Sequence, residues 1–179
     1  MKKFLAVLFF LVVNVLNVSA VDAAQMVRIS DVNLGQYLSI IRTVANSDEV
    51  RSVLQLEFSD PIRLEKNDRE SMQLKCWTST VSANSKKIGA VFFSVDNQNL
   101  VSALEIFIAD QGDQEKNLKI LSMSTACIFV PLQLSKTEFN KVFVGIFSKG
   151  DPVWCEKSKR YIVAQTTDAG ILTVIALVE

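Results

Sequence analysis

The sequence predicts an α+β protein: a mainly antiparallel sheet of about six to seven strands, packed with two amphipathic helices over about 31–46 and 135–149 and preceded by an N-terminal signal peptide. Three observations predict it. The spacing of apolar residues switches between a helical and a two-residue period along the chain. The alternating stretches are joined by short connections, which favour antiparallel neighbours. Ahead of all of them stands a basic, then apolar, then small-residue leader.

The leader is residues 1–20. Lys2 and Lys3 precede an apolar run of 13 residues, Phe4–Leu16, and Val18-Ser19-Ala20 offers small residues at a cleavage site. The run is shorter than the roughly 20 residues that span a bilayer. Asn14 and Asn17 weaken the alternative of a retained anchor. No cysteine follows the cleavage region, so lipoprotein attachment is not expected, and the Met-Lys-Lys start looks bacterial. The expectation is a periplasmic or secreted mature protein with no integral membrane segment. Residues 21–179 form one domain, long enough to bury a core.

Within that domain, residues 21–29 carry little pattern. Leu34, Tyr37, Leu38, Ile41, Val44 and Ala45 form a helical stripe, with Ser30 or Asp31 as cap and Asn46 as the end. Val50, Ser52, Leu54, Leu56 and Phe58 then alternate with polar neighbours, which reads as a strand ended by Asp60-Pro61. A second strand covers Met72–Thr78. The small polar run Ser79–Lys87 reads as a surface loop, and Ile88–Val95 as a third strand ended by the turn residues 96–99. Leu100–Ala109 suits either helix or strand; alternation of Leu104, Ile106 and Ile108 favours a strand.

Leu118–Val130 is dense in apolar and β-branched residues and reads as a central strand ended by Pro131. Ser135 and Glu138 have the spacing of a capping box, flanked by the staple pair Leu134 and Phe139. Phe139, Val142, Phe143 and Ile146 supply one apolar face, with Lys149 and Gly150 at the expected stop. After a turn at Asp151-Pro152, Arg160–Thr166 and Ile171–Val178 flank a hairpin turn at 167–170.

Composition excludes several chemistries. The chain contains no histidine, which removes histidine-activated nucleophiles and imidazole-dependent zinc or copper sites. No Ser-x-x-Lys spacing and no glycine-rich phosphate loop occurs. Without Lys2 and Lys3, 17 basic residues face 19 acidic ones, a net charge of −2, which provides no footprint for nucleic acid. No cofactor or metal is expected. The acidic set Glu57, Asp60, Glu65, Asp68 and Glu70 is interleaved with Arg63, Lys66 and Arg69 and reads as a solvated loop before a carboxylate pair. Asp110, Asp113 and Glu115 read as a polar turn before a calcium loop.

The three cysteines, Cys76, Cys127 and Cys155, allow one disulfide in an oxidising compartment. Cys127–Cys155 is slightly favoured, with Cys76–Cys155 as the alternative. Lys157 beside Cys155 could lower its thiol pKa, although a structural role for that cysteine is the better reading. Trp77 lies on the polar side of its predicted strand, where it is either an exposed partner anchor or core beneath the first helix. Trp154, with Lys157, Lys159 and Arg160, forms a second candidate contact for an acidic partner.

The functional expectation is a non-enzymatic protein-binding module of the envelope or exterior: an inhibitor, an immunity-type blocker or an assembly accessory. The alternatives are a carrier of a small apolar ligand or lipid, lined by Phe92, Phe93, Phe107, Phe129, Phe139 and Phe143, and a carboxylate-dependent hydrolase.

Overall fold

Alternation of small and apolar side chains builds one antiparallel sheet from nine strand segments: β1 (Met26–Val27), β2 (Leu56–Phe58), β3 (Ile62–Arg63), β4 (Lys75–Ala83), β5 (Lys86–Val95), β6 (Val101–Ile108), β7 (Val153–Cys155), β8 (Arg160–Thr166) and β9 (Ile171–Leu177). The structure, a computed structural model, describes residues 26–68, 73–146, 151–166 and 171–177. The predicted signal peptide, Lys149, Gly150 and the turn at 167–170 lie outside them. The class is α+β, as the sequence predicts.

The strand order β2-β4-β5-β6-β9-β8-β7 joins two meanders, β4-β5-β6 and β7-β8-β9, through the β6–β9 pair. β3 pairs with β4, and β1 continues beside the end of β9, with Met26 opposite Leu177. Helices α1 (Leu34–Ala45), α2 (Asp48–Arg51), α3 (Gln114–Phe129) and α4 (Lys136–Gly145) complete the fold.

The helices gather on one face. Across the strands the row Trp77–Phe93–Leu104–Val174–Ala164 shares that face with Val91, Ile106, Leu172 and Ile162. Onto it α1 presents Tyr37, Leu38 and Ile41, α3 presents Ile120, Cys127 and Ile128, and the α4 side presents Val142 and Ile146. Tyr37 meets Phe93 edge to face at 5.9 Å, and its hydroxyl donates to the Ile128 carbonyl oxygen at 2.9 Å. That bond satisfies one of the carbonyls left open at the C-terminus of α3.

Several sequence expectations hold. Ser135 and Glu138 form the reciprocal capping box of α4, and Phe139 stacks on Phe143 at 5.7 Å. Asn46 ends α1, and 101–108 is a strand. Asn33, with Gln36 in return, caps α1; Asp31 instead reaches Arg160, and Ser30 is buried.

Four expectations are corrected. Leu118–Val130 is helical, lying in α3 and the 3-10 turn Val130–Leu132: Asp113 caps Lys116 N, and Ile120, Ser124, Cys127 and Ile128 make a buried helical stripe. The buried hydroxyls of Ser124 and Thr125 mask that stripe in the sequence. Residues 50–58 are a strand only at Leu56–Phe58, because Ser47 caps a one-turn helix with Asp48 and Glu49 in its first turn. Ser79–Lys87 is mostly strand: Ser79, Val81 and Ala83 are buried in β4, and the turn is the pair Asn84-Ser85, both with positive φ. Finally, Cys76, Cys127 and Cys155 are not disulfide-bonded, so neither expected pairing is present. Cys127 sits in α3 and not in a strand clipped to β7, which removes the geometry on which that pairing rested.

Candidate interaction surface on the open face of the sheet

The face opposite the helices has its own composition. Register places Cys76, Ser94, Ala103, Ile175 and Val163 in one row across five strands. The next row is Thr78, Phe92, Glu105, Thr173 and Gln165. Ala103, Val163 and Ile175, with Leu177 against them, form an apolar cluster separate from the main core. No helix among the described residues packs on this side. Glu105 is the one charged side chain in these two rows.

At the β7 end, Tyr161 stands opposite both Leu177 and Trp154, so the two rings extend the same face to the sheet margin. Their centroids are 5.0 Å apart. The Trp154 indole N–H donates to Glu156 Oε1 at 2.8 Å, Lys159 lies over the indole at 5.9 Å, and Lys159 Nζ reaches Glu156 Oε2 at 2.6 Å. Those contacts hold Glu156 below the usual carboxylate range. Glu156 N in turn donates to Glu138 Oε1 at 2.7 Å, so the α4 cap also anchors this turn.

The candidate residues therefore divide. Trp154 and Lys159 meet at the margin of the open face, and Lys157 is exposed beside them. Arg160 points to the helix side, half-buried and paired with Asp31. Trp77 lies at the far end of the helix-covered face, half-buried against the core with Arg63 over its ring at 5.7 Å. Its indole nitrogen is buried without a hydrogen-bond partner.

The remaining candidates resolve into structural roles. Burial pushes the Cys127 and Cys155 thiols up to about 11, and the nearby Glu138 adds to the effect at Cys155. The buried site thus opposes any activation of Cys155 by Lys157, in keeping with the structural role favoured for that cysteine. Asp68 accepts from Arg63 and from Cys76 N, and Asp60 pairs with Arg42 at 2.8 Å. The acids of the 57–68 stretch for which pairing is seen face cations and not one another. Asp110 accepts from Gly112 N and Asn117 Nδ2, which organises the turn before α3. Among the described residues no group of three metal-ligating side chains could hold an ion. The six phenylalanines of the carrier reading fall on both sides of the sheet, with Phe92 and Phe107 apart from Phe93 and Phe129. They do not line one cavity.

Comparison with family models, curated proteins and solved structures finds no match for this chain. No helix among the described residues is long and apolar enough to cross a membrane.

Proposed function

We propose that this chain is a secreted or periplasmic, non-enzymatic protein-binding module, matured by removal of residues 1–20, which takes its partner on the open face of the sheet. An inhibitor, an immunity-type blocker or an envelope-assembly accessory fits that description. The observation that carries the reading is the partly exposed ring pair of Trp154 and Tyr161 at the margin of the sheet face away from the helices, beside the buried apolar cluster of Ala103, Val163 and Ile175. Large aromatic side chains at the edge of an apolar surface are the usual anchors of protein interfaces. The lack of histidine supports a binding role over catalysis.

The test is capture of a stoichiometric partner from envelope extracts by the wild-type protein and by Trp154→Ala, Tyr161→Ala. Loss of capture with an unchanged thermal transition supports the reading. A partner retained equally by the double variant rejects the surface, and turnover of a glycan or peptide substrate rejects the non-enzymatic assignment.

A further inference from the structure

The Trp154 contact is tied to the helical layer by a run of hydrogen bonds that begins in α4. Glu138 stands in the first turn of that helix. Its Oε2 accepts from Ser135 N at 2.6 Å, which closes the cap, and its Oε1 reaches out of the helix to Glu156 N at 2.7 Å. The run continues through the Glu156 side chain. Oε1 accepts from the Trp154 indole N–H at 2.8 Å, and Oε2 accepts from Lys159 Nζ at 2.6 Å. Tyr161 and Lys159 then flank the ring, at 5.0 Å and 5.9 Å from its centroid.

The turn that carries Glu156 is closed by Lys159 N, which donates to the Cys155 carbonyl oxygen at 2.8 Å, with Lys159 in the left-handed region at φ 53°. A lysine backbone stays there only where its surroundings hold it. The Glu156–Lys159 ion pair is exposed on both sides and holds the turn only weakly. The bond from Glu138 ties the same turn to a helix packed on the core.

We infer that Glu138 is a positioning residue for the Trp154 contact: acting through Glu156, it fixes the indole in the orientation that the partner meets, so that the strength of binding is set from α4 as well as by the open face. The inference rests on the functional reading given above and adds how that site is held.

Two arguments support it. An aromatic anchor whose rotamer is set before contact spares the ordering cost on association. The chemistry at position 138 is also exacting. An ionised carboxylate only accepts, so it serves both N–H groups, whereas a glutamine amide offers one acceptor oxygen and turns a donor towards the second N–H. An aspartate would fall one methylene short of Glu156 N. Capping alone is separable from this role, because Ser135→Ala removes the Ser135 Oγ bond to Glu138 N and leaves both carboxylate bonds in place.

The test follows the Trp154 indole N–H by heteronuclear NMR of the full chain. The chain has two tryptophans, and Trp77, on the helix-covered face, supplies the internal reference. Glu138→Gln and Glu138→Asp are expected to shift the Trp154 signal and to raise its solvent-exchange rate severalfold, with the Trp77 signal unmoved. Ser135→Ala is expected to leave both signals in place. A Trp154 signal that stays put in both Glu138 variants, or that shifts equally in Ser135→Ala, overturns the inference. In capture from envelope extracts the Glu138 variants are expected to retain severalfold less partner, and Ser135→Ala as much as wild type. Full retention by the Glu138 variants, where Trp154→Ala, Tyr161→Ala loses the partner, also overturns it. The two readings fail separately. A shifted indole signal with undiminished capture by Trp154→Ala, Tyr161→Ala supports the positioning of the ring and rejects the partner site. An unmoved signal with capture lost in that double variant does the reverse.

Discussion

Trp154 and Tyr161 stand opposite each other across β7 and β8, with ring centroids 5.0 Å apart, on the side of the sheet away from the helices. The pair joins a local feature, the Glu156–Lys159 turn, to a long-range one, the apolar cluster of β6, β8 and β9. Without β9 docking against β6, Ala103 would not meet Ile175, and the face would end at the β8–β9 hairpin.

Tyr37 ties α1 to α3. Tyr37→Phe keeps the ring against Phe93 but leaves the Ile128 carbonyl without its donor. The expected cost is about 1–2 kcal/mol, measured as a lower urea midpoint at unchanged slope.

Gly89 permits close approach of β5 and β6. A Cβ there would stand 2.0 Å from the Phe107 carbonyl oxygen, so the strands would have to part. Gly89→Ala is expected to destabilise the fold by about 1–3 kcal/mol in chemical denaturation, more than Gly35→Ala in α1, whose nearest neighbour is a side-chain atom at 3.4 Å.

Glu138 accepts from Ser135 N and Glu156 N, and these bonds hold its carboxyl below the usual glutamate range. A carboxylate with a depressed folded-state pKa contributes stability above its ordinary value and loses it as pH falls through the folded value. Glu138→Gln is therefore expected to flatten the acid limb of the stability–pH curve. Ser135→Ala, which removes the cap at every pH, is expected to cost about 1 kcal/mol.

Cys127 and Cys155 are buried with thiols pushed up to about 11, while Cys76 is half-exposed, its Sγ donating to the Asn67 carbonyl oxygen at 2.8 Å. Titration with a thiol reagent at pH 8 is expected to label Cys76 first. The other two should react only as the protein unfolds.

What was legible in the sequence was what local chemistry decides. The Ser135–Glu138 box and the face of Val142 and Ile146 require nothing beyond one helix, and they stand as read. Asp113 carried the matching signal for α3, but the buried Ser124 and Thr125 broke the apolar stripe, and β-branched neighbours imitated a strand. In β4 the side that the sequence makes polar, with Trp77 and Ser79, is the one the helices cover, because packing partners from α1 and β5 outweigh the strand's own pattern. Trp154 could be singled out from its type alone. Its partners on the open face could not, since Ala103, Val163 and Ile175 become neighbours only through pairings distant in sequence.

Hydroxyl-radical footprinting of the mature protein with and without its captured partner tests the central claim most directly, because aromatic side chains report on both faces at once. The account predicts protection of Trp154, Tyr161, Phe92 and Phe107, with Phe139, Phe143 and Leu118 on the helical side unchanged. Protection confined to those helical residues, with the four open-face aromatics reacting as in the free protein, would contradict it.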